Sequence, residues 1–352
     1  MSSATFSESS AGSIVNWSRV RAVMFPHWAM WVAPSVMLAA CALIDLFSAR
    51  ISVSHLGYLV IFFWCPTAMV LMLWRYLRFE TFDWFLHRLW GAMILFLWIN
   101  YTTNTVALFC HMLFAQGYPL IDSQLLAADL TLGFHWNAYA HFMFDNYWPN
   151  LIFSNVYADL TMSVMMLTPI IALIRNDRIR VMEICFLMLG TAIVCVTISG
   201  IFPSFPTTAT IPDGGILNAM ETNGHHYLGR VIATINSLRD APFVEIDPRT
   251  TEGIVTFPSF HCCMALIIMR CNRGLGLFSA VASAIGIAII LATPVYGGHY
   301  LSDLLGGSVA TLFFIWVWDT YFAKRVSPVL PGTSLNAYDL PAFFKRFAFT
   351  TN

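Results

Sequence analysis

The chain contains several apolar runs of about twenty residues, and these runs limit its possible folds more than any other feature. A segment of this length crosses a bilayer as an α-helix, because the hydrocarbon core offers no water to hydrogen-bond an exposed backbone. The composition agrees, with 58% hydrophobic and 11% charged residues. The sequence therefore predicts an all-α polytopic membrane protein.

We expect about eight transmembrane helices, of which the sixth is short. Two accessory helices within residues 28–88 are predicted to precede a six-helix catalytic membrane domain at 89–322. Tails at 1–27 and 323–352 are predicted to lie in the cytoplasm, the first of them disordered. The predicted spans are 28–47, 56–76, 89–113, 151–174, 182–201, 258–269, 275–293 and 301–321.

Two polar clusters stand at the ends of the last apolar runs. The first reads Phe-Pro-Ser-Phe-His and ends at His261, and the second reads Gly-Gly-His-Tyr-Leu-Ser-Asp and contains His299 and Asp303. Two apolar runs separate the clusters, so both emerge on the same side of the membrane. At positions i and i+4, Asp303 can hold one ring nitrogen of His299 and leave the other free. This arrangement is typical of a nucleophile or general base, with His261 able to supply a proton.

The start of the helix that follows Pro258 favours an anion. Ser259 offers a hydroxyl group, and the first helical turn offers free N–H groups and the positive end of the helix dipole. These groups predict a phosphate site beside the two histidines.

The distribution of basic residues predicts the orientation. With the N-terminus inside, most of the 18 Lys and Arg residues fall in the cytoplasm, as the positive-inside rule requires. The exceptions are Arg50, Arg230, Arg239 and Arg249. We therefore expect a bacterial inner-membrane protein whose polar clusters face the periplasm.

Charge and cysteine content exclude several classes of protein. The net charge of -1 argues against nucleic acid as a partner. Most of the 8 cysteines lie inside or beside apolar runs, so neither a disulfide framework nor a zinc knuckle is indicated. No cofactor is expected.

The polar clusters resemble the second and third motifs of the type 2 phosphatidic acid phosphatase superfamily, and most closely its inositol phosphorylceramide synthase-like branch. The Pro-Ser-x-His motif is matched at Pro258, Ser259 and His261, and the His-x3-Asp motif at His299 and Asp303. The resemblance implies a phosphohistidine on His299, an orienting role for Asp303 and a general acid at His261. It also implies a lipid phosphoester substrate. We predict that Ser259 and the neighbouring Tyr300 contribute to binding this substrate.

Two departures from the superfamily pattern concern phosphate binding. The first motif, Lys-x6-Arg-Pro, is absent, and Thr293 stands where the family usually has an arginine. A guanidinium from the long loop at 202–256 can replace the missing charge, because it binds phosphate oxygens in a bidentate manner. We predict Arg239 as this ligand in preference to Arg230.

Two further segments have alternative interpretations. The leucine spacing at 122–133 fits either an interfacial helix on the membrane or a lid that only packs. Asp159 in the fourth span is either a site residue or a buried structural hydrogen-bonding group.

The sequence thus predicts a membrane phosphatase or phosphotransferase, with water or an alcohol, lipid or polyol, as the acceptor. A head-group transferase of the inositol phosphorylceramide synthase type is an alternative. A transporter or channel is a competing class, although the polar residues gather at one membrane face. A metal-dependent hydrolase is a third reading, because two histidines and an aspartate are adequate zinc ligands.

Overall fold

The computed structural model describes residues 29–54, 67, 84–211, 215–222, 225–248 and 250–325. Within these ranges the chain is mostly helical. The elements in chain order are α1 (Ala29–Phe47), β1 (Ile51–Val53), α2 (Trp84–Phe114), α3 (Asp122–Thr131), α4 (Trp136–Asp145), α5 (Tyr147–Ile174), α6 (Arg178–Ile201), α7 (Thr207–Thr210), α8 (Ile216–Thr222), α9 (Tyr227–Asp240), β2 (Val244–Ile246), α10 (Phe260–Cys271), α11 (Leu277–Tyr296) and α12 (Leu301–Phe322).

Six of the described helices are long and apolar enough to cross a membrane: α1, α2, α5, α6, α11 and α12. They confirm the prediction of an all-α polytopic membrane protein. The predicted sixth span corresponds to α10, which has only 12 residues. The predicted second span, 56–76, lies outside the described residues, so eight spans remain a prediction.

The short helix α10 lies at the centre of the bundle, where it packs against α5, α6, α11 and α12. Two glycines on its neighbours permit this close packing. A Cβ atom on Gly286 would meet the Met269 side chain at 2.5 Å, and one on Gly307 would overlap the Ser259 carbonyl oxygen.

The length of α10 places the residues at its start inside the bundle. A 12-residue helix is about 18 Å long, whereas the hydrocarbon core is about 30 Å thick. A short turn joins α10 to α11 at one end of the bundle. The opposite end, at which α11 ends and α12 begins, is called the site end below.

The N-terminal elements are tied to the loop that follows α6. Strand β1 pairs in parallel with β2, with Ser52 opposite Glu245. Next to this pair, the Arg50 guanidinium donates hydrogen bonds to the carbonyl oxygens of Ala115, Leu238, Arg239 and Ala241. One half-buried cation thus joins the ends of α2 and α9.

Helix α4 lies against the site end of α11. The Trp136 indole donates a 2.8 Å hydrogen bond to the Pro294 carbonyl oxygen, and the Tyr139 hydroxyl donates one of the same length to the Leu291 carbonyl oxygen. These two hydrogen bonds fasten α4 to the last turns of α11.

Candidate active site

His299 and Asp303 form a buried pair at the site end. The His299 side chain lies in the turn between α11 and α12, and its Nδ1 atom is 3.0 Å from Oδ2 of Asp303. The same carboxylate oxygen accepts a hydrogen bond from the Tyr300 backbone N–H. An ionised carboxylate only accepts hydrogen bonds, so it favours the tautomer with the proton on Nδ1 and the lone pair on Nε2.

Burial also controls the charge of His299. The residue is almost completely buried, and this burial lowers its pKa to about 4, an effect that an interaction with the Thr256 backbone partly opposes. The imidazole is consequently neutral at pH 7, which is the form that acts as a nucleophile.

The turn that carries His299 requires glycine at both preceding positions. Gly298 has a φ angle of 64°, which side-chain-bearing residues rarely adopt. A Cβ atom on Gly297 would lie 2.5 Å from the Tyr157 hydroxyl and 2.8 Å from the His299 ring. The small residues therefore allow His299 and Tyr157 to approach each other.

His261 lies beside this pair, as the sequence predicts. Its ring centroid is 6.5 Å from that of His299. On its other side it stacks on Tyr157, with centroids 4.4 Å apart, and its Nδ1 atom is 3.1 Å from the Tyr157 hydroxyl. The structure thus brings His261, His299 and Asp303 together and adds Tyr157, which holds one nitrogen of His261.

Sequence reasoning missed Tyr157 and considered its neighbour Asp159 instead. The structure places both in a π-helical turn, Val156–Leu160, within α5. Asp159 is exposed on the outside of the bundle, whereas Tyr157 is buried against His261. Turns of this kind recur at functional sites, but a single apolar span does not reveal where one interrupts the helix.

The side chains of Ser259 and Tyr300 are engaged within the protein. Ser259 caps α10 by accepting a hydrogen bond from the Cys262 N–H at 3.4 Å. The Tyr300 hydroxyl lies 2.6 Å from the Thr210 hydroxyl and donates to Asp122 at 3.2 Å. Their assignment as substrate ligands therefore stays a prediction.

Helix α3 holds the start of α12 in place. The buried Asp129 carboxylate accepts hydrogen bonds from the N–H groups of Leu301 and Ser302 at 2.7 and 2.9 Å. These are two of the N–H groups that a helix start leaves unpaired. The stretch at 122–133 is thus helical, with Leu130 and Leu132 exposed on its outside and Asp129 directed at the active-site turn.

The two candidate arginines lie in different places. Arg230 lines the same cavity as His261 and forms a 3.0 Å ion pair with Glu252. Arg239 donates a 2.9 Å hydrogen bond to the Tyr118 carbonyl oxygen. It also lies near Asp122, whose pKa is raised by burial and partly lowered by this guanidinium.

Thr293, at the usual arginine position, is buried and donates to the Ile289 carbonyl oxygen of its own helix. It therefore stabilises α11 without offering a positive charge. In the part of the chain that the structure describes, no group of three or more His, Cys, Asp or Glu side chains is arranged to hold a metal ion.

A cavity of about 840 Å³ reaches His261 from the side of the bundle. At the site end its wall includes Tyr157, Arg230, His261 and Tyr296. Deeper in the bundle it is lined mainly by apolar side chains of α2, α5 and α6. His261 lines this cavity, and the neighbouring His299 does not.

The comparisons with known proteins agree with this geometry. A family model of the PAP2 superfamily, the type 2 phosphatidic acid phosphatases, matches residues 123–317. No curated protein and no solved structure matches the chain. The matched residues contain Tyr157, His261, His299 and Asp303, whereas α2, which lines part of the cavity, precedes them. Because the match covers more than half of its length, the chain belongs to the PAP2 superfamily.

Proposed function

We propose that the protein transfers or hydrolyses a phosphoryl group carried by a membrane lipid, through a phosphohistidine on His299. One observation carries this proposal: a neutral, carboxylate-oriented His299 lies next to His261 at the polar end of a cavity that continues into the bundle. Membership of the PAP2 superfamily supports a phosphatase or phosphotransferase acting on lipid phosphoesters.

The first step forms a bond between Nε2 of His299 and phosphorus, and breaks the bond from phosphorus to the leaving alcohol. The leaving oxygen takes a proton from the imidazolium form of His261, which the negative charge of the bound phosphate favours. Asp303 stays ionised and stabilises the positive charge that develops on the His299 ring. Because His261 lines the cavity and His299 does not, the contact between His299 and phosphorus has to form on substrate binding, as catalytic contacts commonly do.

The second step reverses these roles. Neutral His261 takes a proton from water or an alcohol, whose oxygen attacks phosphorus, and the bonding electrons return to Nε2 of His299.

A lipid head-group transferase of the inositol phosphorylceramide synthase type is a second candidate. The missing Lys-x6-Arg-Pro motif and the threonine at Thr293 favour it, because that branch shares these departures.

Arg230 is proposed as the phosphate ligand. It is the cation that the described cavity wall contains, and its partner Glu252 holds it at the polar end. A guanidinium there can bind two phosphate oxygens at once. The distribution of basic residues supports a site that faces the periplasm of a bacterial inner membrane.

The test is to incubate purified protein with a phosphate-labelled lipid, with and without candidate alcohols, and to identify the products. We expect His299→Ala to abolish turnover, and a rapid quench of the unaltered protein to trap acid-labile, alkali-stable phosphate on His299. The product formed in the presence of an alcohol separates a phosphatase from a transferase.

His141→Ala is the matched control, because His141 is an exposed histidine that pairs with Asp145 on α4. It should retain full activity. Turnover by His299→Ala comparable with that of the control would refute the covalent mechanism.

A further inference from the structure

The cavity has a wall that the proposed chemistry does not use. Helix α2 contributes one face to it, with residues spaced by three or four positions. The face includes Phe96, Asn100, Thr103, Ala107 and Cys110. All of α2 precedes residues 123–317, which the family model matches. This wall is therefore formed by a part of the chain outside the family region.

The α2 wall carries uncharged polar groups at membrane depth. The Thr102 side chain lines the cavity, and its buried hydroxyl has no hydrogen-bond partner among the described residues. Thr103 and Asn100 line the same cavity. The Asn100 amide donates to the Phe96 carbonyl oxygen at 2.8 Å, which leaves its side-chain oxygen available as an acceptor.

Among the described residues, α5 and α6 line the deeper part of the cavity mainly with apolar side chains. These include Met162, Met165, Met188, Leu189 and Ala192. Polar side chains inside a membrane protein commonly bond across to another helix, because an unpaired polar group is costly in an apolar environment. A ligand group in the cavity can supply this partner to the α2 side chains.

The length of the cavity indicates which kind of ligand fits it. Its polar end contains Arg230 and His261, and its deep end contains Pro169 and Ile184. Pro169 and Ile184 lie about 8–9 Å from the ends of α5 and α6 that are farthest from the site. The cavity therefore runs through most of the bundle, as a lipid chain with its phosphate at His261 would.

We propose that Asn100, Thr102 and Thr103 of α2 form a subsite for a hydroxyl or amide group in the membrane-embedded part of the lipid substrate. The inference rests on the proposed function for the position of the phosphate. A lipid that carries such a group satisfies the α2 side chains, whereas a lipid with plain hydrocarbon at this depth leaves them unpaired.

The test compares two phosphatidic acids that differ by a single hydroxyl group on an acyl chain, presented in the same detergent micelles. We expect kcat/KM to be roughly fivefold to tenfold higher for the hydroxylated lipid, which is the effect of one uncharged hydrogen bond. Thr102→Val and Thr103→Val remove hydroxyl groups while keeping the side-chain shape. Each variant should reduce this preference.

Met188→Leu is the matched control, because Met188 lines the apolar wall of the same cavity. It should keep the preference of the unaltered protein. Equal kcat/KM for the two lipids in the unaltered protein would overturn the proposal, whether or not the variants fold. A preference that survives the double substitution of Thr102 and Thr103 by valine would also overturn it.

A binding measurement tests the subsite independently of the proposed function. Native mass spectrometry of the His299→Ala protein with an equal mixture of the two lipids measures retention without turnover. Preferential retention of the hydroxylated lipid supports the subsite even if neither lipid is turned over. Equal retention of the two lipids refutes the subsite even if the phosphohistidine is trapped.

Discussion

At the residue scale, positive charge is scarce around the bound phosphate. A phosphoryl group carries one to two negative charges, and the described cavity wall provides Arg230 as its cation. Because this charge spreads over the phosphate oxygens during transfer, the contact should act mainly on kcat. We expect Arg230→Ala to lower kcat by roughly a hundredfold, measured by steady-state kinetics with a lipid phosphate.

Arg239→Ala is the matched control for Arg230→Ala. Arg239 is bound to the Tyr118 carbonyl oxygen, so its loss should leave kcat within a few-fold of normal. Arg230→Lys should restore only part of the activity, because an ammonium group cannot form the two-pronged contact. Activity lost in Arg239→Ala and kept in Arg230→Ala would restore the assignment that the sequence favours.

Contacts between residues close in the sequence could be predicted, whereas contacts between distant segments could not. The sequence predicts the contact between His299 and Asp303 from an i, i+4 spacing on one helix face. In the structure α12 begins at Leu301, so the contact joins the preceding turn to the first turn of the helix. The position of an arginine in the long loop depends on the path of α9 over the bundle, which no local pattern encodes. Tyr157 depends in the same way on a π-helical turn that shifts the register of α5.

At the element scale, α3 acts as a support for the active-site turn. Asp129 accepts hydrogen bonds from the first N–H groups of α12, and a carboxylate is favourable at that positive helix end. We expect Asp129→Ala to lower kcat by about tenfold or more, since two buried N–H groups lose their partner and the His299 turn loosens. KM should change less.

The measurement is steady-state kinetics together with thermal denaturation in detergent. Asp145→Ala is the control, because Asp145 is an exposed aspartate at the end of α4. An unchanged kcat in Asp129→Ala would show that α12 keeps its start without α3.

Helices could be predicted from the sequence where the thickness of the membrane sets their length. The long apolar runs correspond to α1, α2, α5, α6, α11 and α12, because only a helix satisfies its backbone in hydrocarbon. The leucine spacing indicated a helix at α3, but the partner of Asp129 lies far away in sequence. The pairing of β1 with β2 could not be predicted either, because the two strands lie far apart in the sequence and three residues are too few to show an alternating pattern.

At the scale of the whole molecule, the two ends of the bundle are held by different means. The site end relies on hydrogen bonds and on the Arg50 guanidinium, which joins α2 to α9. At the opposite end, the buried Glu183 of α6 accepts from Arg270 at 2.8 Å and from Arg273 at 3.2 Å. Arg270 also pairs with Asp319, so the network fastens α6, α10 and α12 together.

This network predicts an effect on stability that is separate from the chemistry. Glu183→Gln removes the buried carboxylate charge that pairs with Arg270 and Arg273. Because these arginine side chains are 22% and 49% exposed and Arg270 keeps Asp319 as a partner, the loss costs about 1–3 kcal/mol. We expect the free energy of unfolding to fall by about that amount, measured by denaturant titration in detergent. The kcat of the folded fraction should stay near normal, because the network lies at the end of α10 away from His261.

Asp145→Asn provides the matched measurement for an exposed pair. The His141–Asp145 contact is solvent-accessible on both sides, so its loss should cost no more than about 1 kcal/mol. A Glu183→Gln protein as stable as Asp145→Asn would show that the arginines find other partners or water when the carboxylate is gone. The bundle would then be held at this end by apolar packing of α10 against α6 and α12, and not by charge.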